Sequence, residues 1–201
     1  MTPIKTIQDL EARYGMPGPA ATQKVARRMT PEFRTWLTRS RFCILSTVGP
    51  EGTDASPRGD DGAVVRELDA GTLALPDWRG NNRIDSLRNI VRDPRISLML
   101  FVPGSNNVVR INGRAFVTGD DDLCRSFEKG GRHPRTVIVI EISEIYTQCA
   151  RALIRSGLWA AGDESAGLPS VGDILAALTE GRVGGKAYDE EWPERAANSM
   201  W

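Results

Sequence analysis

Val108-Val-Arg-Ile-Asn-Gly-Arg-Ala-Phe-Val-Thr118 alternates from one end to the other. Val109, Ile111, Gly113, Ala115 and Val117 fall on one side; Arg110, Asn112, Arg114 and Phe116 fall on the other. A period of two is the pleat of a strand with one face in a core. The same signal recurs on both flanks. Upstream, Arg95 to Val102 reads as a buried strand, with Pro103-Gly-Ser-Asn106 as the turn between the two. Downstream, Asp120 to Phe127 reads as a short helix. Thr136 to Tyr146, which holds Val137-Ile-Val-Ile-Glu-Ile142, reads as a central strand. Earlier in the chain, Phe42 to Val48 and Thr53 to Gly59 flank Gly49-Pro-Glu-Gly52 as a hairpin. Val64 to Leu68 and Thr72 to Leu75 read as further short strands around Asp69-Ala-Gly71. About six or seven short strands with one helix midway imply a small barrel, mainly β with flanking helices. A parallel sheet would need a helix after nearly every strand.

The helix inserted midway is Arg79-Gly-Asn-Asn-Arg-Ile-Asp-Ser-Leu-Arg-Asn-Ile-Val-Arg-Asp-Pro94. Asn81 or Asn82 suits an N-cap, and Asp85 can complete a capping-box-like arrangement with Asn82. Ile84, Leu87, Ile90 and Val91 give an apolar stripe at helical spacing. Asp93-Pro94 ends it. Arg83 in the first turn opposes the helix dipole, with Arg79 just upstream. Either these arginines are solvated, or an anion such as a phosphate sits between them and the helix amides.

The flanks read as helical. Residues 4 to 14 carry Ile4, Ile7, Leu10 and Tyr14; residues 20 to 29 form a second piece; Thr30-Pro31-Glu32 opens a third, with Phe33, Trp36 and Leu37 on one side. Beyond Ala150 the pattern is again helical, and Ser170 caps a helix with Val171, Ile174, Leu175 and Leu178 on one face, stopped by Gly181. The expected division is a helical extension over 1–40, the barrel over 41–160 and a second helical extension over 161–201, within one structural domain. The last forty or so residues either wrap a neighbouring subunit or cap a cleft.

Composition narrows the function. Lysine plus arginine and aspartate plus glutamate number 26 each, so no basic excess speaks for nucleic acid. No apolar run approaches the roughly 20 residues that span a membrane. The opening Met1-Thr-Pro-Ile-Lys5 lacks a signal peptide's apolar stretch, and a cytoplasmic location is expected. Cys43, Cys124 and Cys149 are widely spaced, with no C-x-x-C, so neither disulfide framework nor metal site is implied. Cys43 reads as core.

Several segments carry possible chemistry. Gly181-Arg-Val-Gly-Gly-Lys186 lacks the spacing and the Ser/Thr of a P-loop. His133, the only histidine, rules out a two-histidine site. Ser56-Pro57-Arg58-Gly59-Asp60 ends a strand that Pro57 confines to an edge or to a break in the barrel. Arg58 is there either a surface residue or a ligand contact. In Cys149-Ala-Arg-Ala-Leu-Ile-Arg-Ser-Gly-Leu-Trp159, a helix would put Arg151 and Arg155 on one face, followed by the flat side chain of Trp159.

These segments, in this order, resemble the FMN-binding split-barrel proteins of the pyridoxamine 5′-phosphate oxidase-like superfamily over roughly residues 30 to 160. The resemblance rests on Ser56-Pro57-Arg58, Leu75-Pro76-Asp77-Trp78, Asn82-Arg83, Asp93-Pro94-Arg95, Arg110-Ile-Asn-Gly-Arg-Ala115 and Cys149 to Trp159. It implies a split β-barrel of about six strands and a homodimer with FMN in clefts between subunits. Asn82 and Arg83 would hold the phosphate, with or without Arg58, and Ser56 would also contact the cofactor. Leu75, Pro76, Asp77 and Trp78 would line the isoalloxazine. Arg155 and Trp159 would approach the flavin, in cis or from the partner. The implied activity is FMN-dependent oxidation or reduction of a small molecule, with charge on the reduced ring stabilised by arginine. The alternative is a non-catalytic binder of flavin, haem or deazaflavin; only His133 could ligate haem through histidine. Pyridoxamine phosphate oxidases proper end in an arginine-leucine-histidine type motif. This sequence has none, which points away from that substrate.

Overall fold

The computed structural model describes residues 1–201. Its strands are β1 (Phe42–Gly49), β2 (Gly52–Gly59), β3 (Arg66–Asp69), β4 (Thr72–Asp77), β5 (Arg95–Phe101), β6 (Val108–Thr118) and β7 (Thr136–Gln148). They form one seven-stranded sheet in the order β2-β1-β5-β6-β7-β4-β3. Every pairing is antiparallel. β2 and β3, consecutive in the chain, are the two edges, and Pro57 lies on one of them as its missing N–H requires. Strands far apart in the sheet share one core. Leu45 of β1, Leu75 of β4, Leu98 of β5 and Ile140 of β7 belong to a single buried cluster. The sheet is therefore curled into a split barrel that its edges leave open.

β4 and β7 are buried on both faces. Leu73, Leu75, Ile138 and Ile140 enter the barrel core, while Ala74, Val137 and Val139 pack outward against Cys124, Leu123 and Phe127. A short helix, Asp121–Arg125, covers that outer face. This is why Val137 to Ile142 is nearly continuous in apolar residues while β6 alternates.

The β6–β7 ladder contains a break that the alternation does not reveal. Asn112 pairs with Glu144 but Gly113 pairs with Ile142, so Ser143 bulges. At that point β7 comes so close that a Cβ on Gly113 would lie 2.2 Å from the Glu141 carbonyl oxygen.

The helices are α1 (Ile7–Tyr14), α2 (Pro19–Gln23), α3 (Pro31–Arg39), α4 (Asp85–Arg92), α5 (Asp121–Arg125), α6 (Arg151–Ser156), α7 (Val171–Leu178), α8 (Lys186–Glu190) and α9 (Trp192–Ala197). α3 opens as expected, with Thr30 Oγ1 accepting from Phe33 N at 3.4 Å, and buries Leu37. α2 is shorter than expected because Ala26 leaves the helical path to bridge Ile145. α7 carries the full Ser170–Asp173 capping box, but Val171, Ile174 and Leu178 stay exposed. None of the helices is long and apolar enough to cross a membrane.

The cysteines divide by environment. Burial pushes the Cys43 thiol up to about 12 and raises Cys124 as well. Cys149 is exposed, and the Arg151 backbone amide, helped by the Arg151 and Lys24 cations, lowers its pKa. Alkylation of native protein is expected to label Cys149 and to reach Cys43 only after unfolding. Peptide mapping by mass spectrometry checks this. Gly113→Ala is expected to cost about 1–3 kcal/mol through overpacking at the bulge, read as a lower denaturation midpoint.

Candidate functional site

α4 lies across the β1–β2 hairpin, and three polar contacts fix it there. Ser86 Oγ donates to Asp54 Oδ2 at 2.5 Å. Asn89 Nδ2 donates to the buried Thr47 Oγ1 at 3.1 Å. At the far end, Arg92 Nη1 donates to the Glu51 carboxylate at 2.7 and 2.8 Å. Ile90 anchors the same face in the barrel core.

This docking corrects the sequence expectation at the helix start. Neither Asn81 nor Asn82 caps the helix. The cap position is Ile84, whose backbone is left-handed at φ 54° and whose side chain offers no oxygen. Asn82 is left-handed too, at φ 61°. Asn81 Oδ1 instead accepts from Arg83 N at 3.1 Å, a local turn. Asp85 forms no capping box with Asn82; it accepts from Arg83 Nε at 2.8 Å. The apolar stripe is corrected as well, because Ile84 and Val91 are exposed and Ser86 takes a buried place. The register is set by Ser86, Asn89 and Ile90 on the hairpin, and the incoming loop must bend to meet it. A β-branched residue in the left-handed region costs on the order of 1–3 kcal/mol, and such strain concentrates at functional sites. The amides of Asp85, Ser86 and Leu87 begin the helix without intrahelical acceptors or a side-chain cap.

A cleft of about 630 Å³ opens at this helix start. One wall is β2 from Asp54 to Gly59, the opposite wall is the end of β4 with Trp78, and the floor runs through Arg79 to Leu87. Of the candidate residues, Ser56, Arg58, Leu75, Pro76, Asp77, Trp78, Asn82 and Arg83 all line it. Strand pairing explains the second wall. β3 ends opposite Ala74, so Leu75 to Asp77 have β7 on one side and no strand on the other. Arg155 and Trp159 do not line it. Arg155 is on α6, exposed, and Trp159 Nε1 donates to the Ser105 carbonyl at 2.8 Å. His133 is exposed, with Nδ1 3.2 Å from the Pro134 carbonyl oxygen.

Most charges in the cleft are paired, but Arg79 forms no ion pair and Asp54 accepts only from the Ser86 hydroxyl. Arg58 Nη1 donates to Asp77 Oδ1, and both side chains are only 19% exposed. Arg58 Nε is buried and has no acceptor. A buried donor left unpaired costs about 1–3 kcal/mol, so it is a place where a ligand oxygen would be welcome. Next to this pair, Trp78 Nε1 donates to Asp60 Oδ2 at 2.9 Å, and Lys129 Nζ bonds both Asp60 and Asp61. Burial opposes the Lys129 cation, but the two carboxylates prevail and raise its pKa. Sequence reasoning missed Ser86, Asp54, Asp60, Lys129 and Met200. Their partners are distant in sequence, and no periodicity marks them.

A curled antiparallel sheet with open edges, and a cleft between an edge strand and a helix start, define a split β-barrel. The family model of pyridoxamine 5′-phosphate oxidase matches residues 29–149, and the chain belongs to that family. Among solved structures it is similar to HupZ of Group A Streptococcus, at 15% identity and TM-score 0.49, covering 59% of this chain and 93% of that one. It is also similar to General Stress Protein 26 from Bacillus anthracis, at 18% identity and TM-score 0.43, covering 57% and 88%. An FMN-binding protein from Syntrophomonas wolfei gives 13% identity and TM-score 0.42, covering 58% and 88%. No curated protein sequence matches the chain.

Ser86→Ala leaves the Asp54 carboxylate without its donor. The expected loss is about 1–3 kcal/mol of stability, read by urea denaturation, with Asp54→Ala/Ser86→Ala close to Ser86→Ala alone.

Proposed function

We propose that this protein binds FMN in the cleft and uses it as an oxidoreductase acting on a small molecule. The observation that carries the proposal is the meeting of two unsatisfied donor sets at one cleft: the uncapped first turn of α4 and the buried Nε of Arg58. A phosphate at the helix start would accept from the Asp85, Ser86 and Leu87 amides. Arg83 would exchange its exposed Asp85 partner for the phosphate, with Arg79 and Asn82 beside it. Leu75 to Trp78 would lie along the ring, where β4 has no strand beside it. Arg58, held by Asp77, would present its spare donor to a carbonyl or nitrogen of the ring or to the ribityl chain.

FMN, when bound, supplies the hydride or electron transfer, and the chain contributes orientation and electrostatics. Arg58 would stabilise negative charge on the reduced ring; Asp77 keeps its guanidinium in place. Arg155 and Trp159 stand exposed outside their own chain's cleft, which supports a homodimer in which they reach the cleft of a second copy.

Titration of the protein with FMN, followed by flavin fluorescence, tests the reading. Saturable binding with flavin absorption bands that bleach on adding NADH or NADPH is expected. Arg83→Ala should weaken binding about tenfold or more. Unchanged affinity in that variant would overturn the phosphate position. A haem Soret band, or preference for a deazaflavin, would replace FMN as the cofactor. Bound flavin that no reductant bleaches would leave a carrier rather than an enzyme.

A further inference from the structure

Residues 198 to 201 leave α9 and return to the mouth of the cleft. Met200 lines it. The ring of Trp201 meets Trp78 edge to face, with centroids 5.1 Å apart and planes at 80°. Two cations hold this segment in place. Lys129 Nζ stands 4.3 Å from the centroid of the Trp201 ring. Arg132 Nη1 donates to the Asn198 carbonyl at 3.2 Å and to the Trp201 carbonyl at 3.3 Å.

Lys129 and Arg132 are the two ends of one tight turn. Lys129 N donates to Arg132 O at 2.7 Å, and Arg132 N donates back to Lys129 O at 3.0 Å. Between them Gly130 and Gly131 are both left-handed, at φ 56° and 78°. That is the backbone a two-residue hairpin turn of the primed kind demands, and glycine adopts it without strain. The turn thus presents two cations side by side. It is itself tied to the cleft wall, because Lys129 also bonds Asp60, which holds the Trp78 indole N–H. Trp78, Asp60, Lys129 and Trp201 close a ring of contacts around one end of the cleft.

We propose that Met200 and Trp201 form a strap across that end of the cleft, clasped by Lys129 and Arg132, and that opening of the strap controls entry and exit of the flavin. This rests on the reading of the cleft as a flavin site. A strap differs from an ordinary wall in its kinetics. A wall residue holds only the bound ligand, so its loss speeds release alone. A strap must open in both directions, so loosening it speeds uptake and release together. The clasp is one cation–π contact and two hydrogen bonds, each weak enough to open without disturbing the barrel.

Stopped-flow fluorescence with FMN as the probe tests this in wild type, Trp201→Ala and Arg132→Met. The Arg132 side chain bonds only the strap, and the methionine keeps its packing stem while removing the donors. Association and dissociation rate constants should both rise about tenfold in either variant, with Kd moving less than about threefold. Faster dissociation alone, or no change in either rate, would overturn the strap while leaving the flavin reading standing. Failure of wild type to take up FMN would instead sink the flavin reading, and with it the strap's role toward flavin. The clasp itself is measured by hydrogen exchange in protein without FMN. Amides of 198 and 199, which bond Glu194 and Ala196, should exchange about tenfold faster in Arg132→Met than in wild type. Equal exchange would show that Arg132 clasps nothing.

Discussion

One hydrogen bond organises the candidate site. Ser86 donates to Asp54 across the gap between α4 and the edge strand β2. With Ile90 in the core, it fixes both where the helix begins and how it faces the hairpin. Everything before it must then fit. The loop from Arg79 to Ile84 has to arrive with two left-handed residues, and the first turn is left without a cap. The strain and the free amides are consequences of a docking made further along the helix. A more comfortable helix start would close the place where an anion could sit.

The opposite wall follows from a different constraint, the unequal lengths of β3 and β4. β3 pairs only as far as Ala74, while β4 continues to Asp77 along β7. The extension can stay ordered because β4 and β7 are packed on both faces, with the barrel core on one side and α5 on the other. A rigid strand end with no strand beside it is thereby set against a strained loop. Binding sites gain precision when the groups that touch a ligand are held by packing behind them.

Most strands were legible because they have one face in a core and say so with period two, or two faces buried and say so with an unbroken apolar run; the edge strands β2 and β3 bury no residue and were legible from the turns beside them. The bulge at Gly113 was not, since it depends on how β7 approaches. The middle helix was legible as a helix, but its start and buried face were not. Periodicity counts Val91 as core and Ser86 as surface; the structure reverses both, because Asp54 gives Ser86 a partner inside and nothing covers Val91. Helix-forming residues over-predicted α2, where a tertiary bridge from Ala26 to Ile145 overrode local preference. Among the candidate site residues, those on β2, β4 and the loop before α4 gather in one cleft. Arg155 and Trp159 do not join them within one chain. The contribution of Met200 and Trp201 had no sequence signature, because two residues after a polar stretch carry no pattern.

The ion pairs inside the cleft have a consequence for how it would capture a ligand. Asp54, Asp60, Asp77 and Asp85 line it against Arg58, Arg79 and Arg83, so its carboxylates outnumber its guanidinium groups. With Lys129 at the rim already neutralised by Asp60 and Asp61, such a pocket casts little net positive potential into solvent. On the flavin reading, recognition would instead happen at contact, by oriented N–H groups whose directions match the oxygens they meet. Selectivity would then come from shape and angle more than from charge.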